Sequence, residues 1–167
     1  VIIDGSTQAG YDAAKGPIIE LNAAGVSSGD PNGITLTTGG STVRGLVINR
    51  AGDDAIEIDV GAAGSTIVGN YLGTDVSGLL TTYGNQYGIT IKSDGNVVGG
   101  SNPADRNVIA GNSTSGLSFG IGFWQDADNN VVQGNYIGVG ADGTTAMGNR
   151  QGITFQNTPD NNLVGGT

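Results

Sequence analysis

Apolar and polar positions alternate along this chain only in short bursts, and one burst recurs. A small residue, an isoleucine, a variable residue and a large apolar residue follow one another at Gly33-Ile34-Thr35-Leu36, Ala55-Ile56-Glu57-Ile58, Gly88-Ile89-Thr90-Ile91, Gly120-Ile121-Gly122-Phe123 and Gly152-Ile153-Thr154-Phe155. The isoleucines are spaced by 22, 33, 32 and 32 residues. Apolar side chains at i and i+2 are the period of a strand with one buried face. Two further strand phrases fall between these. One is Thr66-Ile67-Val68, Asn96-Val97-Val98, Asn130-Val131-Val132 and Asn162-Leu163-Val164. The other is Leu46-Val47-Ile48, Asn70-Tyr71-Leu72, Asn107-Val108-Ile109 and Asn135-Tyr136-Ile137.

Strands this short cannot bury a face alone. Wound into coils of three strands, with the coils stacked so that each strand pairs in parallel with its counterpart, they enclose continuous aliphatic columns. The expected fold is therefore all-β: a right-handed parallel β-helix of about five coils, with three short strands per coil. Asparagines at the turns are expected to bond to the next coil and form ladders. A helical fold is excluded, because no 3.6-residue periodicity persists and glycine interrupts every window. Segments 73–87, 112–119 and 138–151 read as loops inserted between second and third strands, projecting from one side of the solenoid. Tyr83, Tyr87 and Arg150 fall within them.

Composition supports this picture. The 32 glycines in 167 residues far exceed the typical share of about 7%, and suit a chain of tight turns. The chain opens in the strand-like run Val1-Ile2-Ile3-Asp4 and stops inside a repeat. Residues 1–167 are thus expected to be a single domain, part of a longer solenoid, whose open ends would be capped by neighbouring chain or would self-associate.

Charge and missing residue types restrict the function. Fifteen Asp and Glu against six Lys and Arg give a net charge of −9, which opposes binding to nucleic acid or anionic membranes. No apolar run approaches the roughly 18 residues of a membrane span. The absence of histidine and cysteine removes the commonest general base, the commonest metal ligand and all thiolate chemistry.

Several stretches resemble a known group: IIDGSTQAGY (2–11), RNVIAGN (106–112), NVVQGNYIG (130–138), GNRQGITF (148–155) and NNLVGGT (161–167). They are similar to the right-handed parallel β-helix repeat proteins, large bacterial extracellular or surface proteins. The resemblance implies the fold and a secreted or cell-surface location. It does not choose among the fold's uses, which include pectate lyases, polygalacturonases, tailspikes, adhesins and ice-binding proteins.

Candidate sites follow from register. Alternate residues of the recurring phrase point outward, giving one row of Thr35, Glu57, Thr90, Gly122 and Thr154 and a second of Thr37, Asp59, Lys92, Trp124 and Gln156. Trp124, the only tryptophan, is expected to face solvent, with Lys92, Asp59, Glu57 and Gln156 forming a hydrogen-bonding rim for a glycan. The second row is too mixed for the threonine array of an ice-binding face. Asp53-Asp54 is similar to the paired aspartates of polygalacturonases, but that family's other motifs are missing, and a turn role bonded to local N–H groups is expected. Lys92, Arg106 and Arg150 sit in no acidic cluster recognisable from the sequence, so no lyase site is assigned. Asp75 and Asp142 each lie near a glycine, as in a fragment of a calcium loop, but without the full spacing. Turn capping is expected of both, and no cofactor. The expected function is a rigid structural or adhesive module, non-enzymatic and possibly filament-forming. The alternative is a carbohydrate-binding or polysaccharide-active β-helix, as lyase or glycoside hydrolase.

Overall fold

The computed structural model describes residues 1–26, 29, 31–114 and 116–165. Ser115 of the second inserted loop, and Gly166 and Thr167 at the end of the NNLVGGT phrase, lie outside the described residues. The chain winds as a right-handed parallel β-helix with three sheets, in which each strand pairs with the strand one coil away. The first sheet contains β1 (Ile2–Asp4), β4 (Thr42–Arg44), β7 (Thr66–Val68), β10 (Val97–Gly99), β13 (Val131–Gln133) and β16 (Leu163–Val164). The second contains β2 (Ile19–Asn22), β5 (Leu46–Asn49), β8 (Tyr71–Leu72), β11 (Val108–Ile109) and β14 (Tyr136–Ile137). The third contains β3 (Ile34–Leu36), β6 (Asp54–Ile58), β9 (Tyr87–Ile91), β12 (Phe119–Phe123) and β15 (Ile153–Phe155). Among the described residues, no helix is long and apolar enough to cross a membrane.

The register stacks the isoleucines of the recurring phrase in one column: Ile34, Ile56, Ile89, Ile121 and Ile153 pair in turn. The middle three are fully buried. Ile67, Val98 and Val132 from the first sheet, and Ile48, Leu72 and Ile109 from the second, close the same core.

Polar ladders run beside the apolar columns at each bend. In each, an asparagine carboxamide oxygen accepts the backbone N–H of its counterpart one coil earlier. Between first and second sheets the chain of bonds is Leu46 N to Asn70 (3.0 Å), Asn70 N to Asn107 (2.9 Å) and Asn107 N to Asn135 (3.1 Å). Between second and third sheets, Ala51 N bonds to Asn85, Asn85 N to Asn112 and Asn112 N to Asn149, at 2.9, 3.2 and 3.0 Å. Before the first sheet, Ser65 N, Asn96 N and Asn130 N bond to Asn96, Asn130 and Asn162, all at 2.8 Å. The amide protons of the carboxamides meanwhile satisfy carbonyls that the turn would otherwise leave unpaired, such as Val43 O and Ile67 O. These are buried donors and acceptors that water cannot reach.

All three inserted segments run between second-sheet and third-sheet strands, as expected, but 73–87 and 138–151 fold back instead of projecting. Ala141 N donates to Gly78 O and Gly111 N to Met147 O. Met147 packs with Val108 and Ala110, forming a second small apolar cluster with Tyr71, Tyr136 and Ala141 on the outer face of the second sheet. Val47 is completely buried on that face. The carboxylate oxygens of Asp75 and Asp142 are spent on their own loops. Asp75 accepts Leu79 N and Leu80 N, and Asp142 accepts Thr144 N and Thr145 N. Bonds to Thr145 and Thr144 hold Asp142 well below the usual carboxylate pKa range.

Candidate functional site on the third sheet

Strand alternation breaks within the third sheet, and this break builds the site. Ala55 and Ile56 are consecutive, yet both are fully buried. The chain therefore turns two successive side chains inward. Residues on either side of the pair, Asp54 and Glu57, emerge together on the outer face. One coil on, Gly88 takes the inward place of Ala55, where a Cβ would press on Ile109 at 2.7 Å. Tyr87 then pairs with Asp54, and Phe119 with Tyr87. Tyr87, read from the sequence as a loop residue, is thus the first residue of a strand. Its ring stacks on Phe119 with centroids 4.2 Å apart and 14° between planes.

Trp124 lies on the outer face as expected, but half-buried and not fully exposed. Gly122 leaves a notch in the outer row, where an added Cβ would stand 2.6 Å from the Phe119 ring and 2.8 Å from Trp124 Nε1. The indole lies back into this notch, its centroid 6.3 Å from that of Phe119. Its Nε1 is buried and has no hydrogen-bond partner among the described residues. Trp124 and Tyr87 thereby wall an open cleft of about 280 Å³, whose other lining residues are Asp53, Asp54, Gln86, Thr90 and Lys92.

Asp54 departs furthest from its sequence-based expectation. It does not bond to local turn N–H groups; it is buried and accepts a hydrogen bond from the Thr90 hydroxyl, one coil away. Burial pushes its carboxyl up to about 7, with the neighbouring charges of Asp53 and Glu57 adding to the rise. The Thr90 bond and the charge of Lys92 act in the opposite sense but do not prevail.

The remaining candidates divide. Lys92 does sit among carboxylates: its ammonium is ion-paired with Glu57, with Asp54 and Asp59 close enough to act on it. Desolvation lowers its pKa, but the Glu57 bond and these charges outweigh that and raise it overall. Glu57 is further held by Asn32 Nδ2 at 2.6 Å. Asp59 accepts its neighbour's N–H, from Val60 at 2.9 Å, and does not line the cleft. Gln156 is exposed beyond β15 and also lies outside it. Register reasoning therefore brings Trp124 and Lys92 to the cleft, with Glu57 behind Lys92 as its ion-pair partner and outside the lining. It missed Asp54, Tyr87 and Thr90.

Chemically, the cleft offers aromatic surface, a hydroxyl, an ammonium held by its counter-ion, and a carboxyl poised to hold or release a proton near neutrality. Asp53 is the second carboxylate among the lining residues, whereas Glu57 is committed to Lys92 and Asn32. A scan against protein-family models matches none, and searches of curated proteins and of solved structures return no significant match.

Proposed function

We propose that this protein is a rigid β-solenoid module of a bacterial extracellular or cell-surface protein, and that it binds a polysaccharide on the outer face of its third sheet. The observation that carries the reading is the convergence of Tyr87 and Trp124 with Asp54, Thr90 and Lys92 in one solvent-open cleft. A pyranose has an apolar C–H face and a rim of hydroxyls. Aromatic walls suit the face, and a carboxyl, hydroxyl and ammonium suit the rim. The scaffold's part is to hold these groups still. Every strand is paired, and the turns are tied by buried ladders, which suits exposure to proteases. The resemblance of the repeat phrases to bacterial surface β-helix proteins supports the location.

A glycan array followed by affinity electrophoresis tests this. Trp124→Ala is expected to weaken retention about tenfold, equivalent to roughly 1.4 kcal/mol, with the far-UV spectrum unchanged. Gln156→Ala, outside the cleft, is expected to have no effect. Wild-type protein that retains no glycan at all would dispose of the reading.

A second reading, end-to-end association, is favoured by apolar side chains on both terminal edges. Ile2 is 75% exposed at one edge, and Phe155 and Leu163 are each 51% exposed at the other. Parallel edges with unpaired backbone groups are templates for further strands. Sedimentation velocity should then show species that grow with concentration and are suppressed by Phe155→Lys. A single monomeric boundary at all concentrations would end this reading.

A further inference from the structure

A second cleft, on a different sheet, has the composition of a binding site. The outer face of the second sheet carries Val47, Tyr71, Val108 and Tyr136 in register. Val47 and Val108 are buried, whereas Tyr71 and Tyr136 are partly accessible. The segment from Tyr11 to Pro17 forms the opposite wall. It is held in a turn by Gly16 N donating to Asp12 O at 3.1 Å and by the Lys15–Asp12 ion pair. Gly16 lies against the Tyr71 hydroxyl, so closely that a Cβ there would collide with it. Between the walls is a cleft of about 210 Å³ lined by Tyr11, Pro17, Tyr71, Val108, Arg106 and Tyr136, among others. That is below the roughly 300–1,000 Å³ of sites for drug-sized ligands, and so suits a single ring.

Arg106 gives the cleft its chemical character. Its guanidinium lies over the Tyr136 ring, 4.2 Å from the centroid. Nε donates to Gly134 O at 2.9 Å and Nη1 to Tyr136 Oη at 3.1 Å. The plane is thus fixed by stacking and two hydrogen bonds, while its remaining N–H groups have no protein acceptor among the described residues. Acidic residues outnumber basic ones fifteen to six, yet none of the ion pairs among the described residues includes Arg106. The preceding Asp105 packs against Gly100 instead. A guanidinium oriented in advance, with a free edge and no carboxylate of its own, is the donor set that recognises a planar anion in a forked geometry.

We propose that this cleft binds one carboxylate-bearing pyranose, a uronic or sialic acid residue, with its carboxylate on the free edge of Arg106 and its ring against Tyr11 and Tyr71. The carboxylate comes from the charge complementarity of Arg106, and the pyranose from the size of the cleft and its phenol walls, whose hydroxyls suit a hydroxyl-bearing ring. The site is independent of the third-sheet cleft.

Ligand-observed NMR titrations of the whole chain with methyl glucuronide, methyl galacturonide and methyl sialoside, against methyl glucoside and acetate, test this. At least one carboxylated glycoside is expected to bind, and which one does identifies the sugar source. The neutral glycoside and acetate should each bind at least tenfold more weakly. Arg106→Gln should weaken binding at least tenfold, and Gln156→Ala, outside both clefts, should leave it unchanged; because Arg106 does not line the third-sheet cleft, its loss assigns the binding to this site. Because Arg106 also ties down Gly134, Tyr11→Ala on the turn serves as a second variant, with an expected loss of at least fivefold. The proposal is overturned by no binding of any carboxylated glycoside, by equal binding of methyl glucoside, by equal binding of acetate (a bare anion site), or by full affinity in both Arg106→Gln and Tyr11→Ala.

Discussion

Asn107→Leu is expected to lower the stability of the whole solenoid by about 4 kcal/mol, although leucine has the same branching and the same number of side-chain heavy atoms. Asn107 is fully buried in the middle of its ladder. Its carboxamide oxygen accepts Asn70 N at 2.9 Å, and its amide donates to Ile67 O at 2.8 Å. Leucine leaves that N–H and that carbonyl buried and unpaired, at roughly 1–3 kcal/mol each. Asn70 also loses the bond from its own amide to Asn107. Improved burial of the leucine offsets only part of this, because the site is lined with polar backbone. For a chain of this size, the loss corresponds to a fall in melting temperature of roughly 10 °C. Asn102→Leu is the control. Asn102 is exposed and caps only a short 3-10 turn through Ala104 N, so about 1 kcal/mol or less is expected. Urea denaturation of both variants decides the matter: an Asn107→Leu midpoint close to that of wild type would mean that the ladders do not hold the coils together.

The ladders and columns were legible in the chain because each depends on a short-range signal repeated at coil spacing. Asparagine precedes Val97, Val108, Val131 and Tyr136, and in each case the structure turns it into a rung. The third-sheet cleft was only half legible. Strict alternation places Glu57, Lys92 and Trp124 outside, and they are there; but it turns Asp54, Tyr87 and Phe119 toward the core, where they are not. A signal for the break was present in the small residue before each isoleucine, Gly33, Ala55, Gly88 and Gly120. A small side chain is needed where two neighbours both turn inward, since a Cβ on Gly33 would meet Ile48 at 2.5 Å and Ala55 O at 2.7 Å. The loop-covered face of the second sheet had its signal too. Leu46-Val47-Ile48 is apolar without alternation, as in a strand covered on both sides. What no local pattern could supply was the tilt of Trp124, which depends on the absence of a side chain at Gly122.

Asp54→Asn should stabilise the protein above neutral pH and do little in acid. The carboxyl's pKa rises from an ordinary value of 3.8 to about 7 on folding, chiefly through burial. Between those values the folded state binds a proton that the unfolded state has released. Stability from this group is therefore complete below about pH 4, declines as pH rises, and is lost by about pH 7. At about 1.4 kcal/mol per pH unit, the window is worth about 4 kcal/mol at most. Asparagine keeps an oxygen for the Thr90 hydroxyl and carries no charge to bury. Wild type and variant should thus have similar denaturation midpoints near pH 4, diverge to about pH 7 and differ by a constant amount above it, with the variant the more stable. Parallel profiles across the range would mean that Asp54 is not a high-pKa group. The same variant separates structure from use. A buried acid kept at this cost in a solvent-open cleft, where asparagine would be more stable, is what the proposed glycan contact would account for. Asp54→Asn should then lose glycan retention on the third sheet even as it gains stability. Undiminished retention would leave Trp124 and Tyr87 as the contacts that matter and would remove Asp54 from the site.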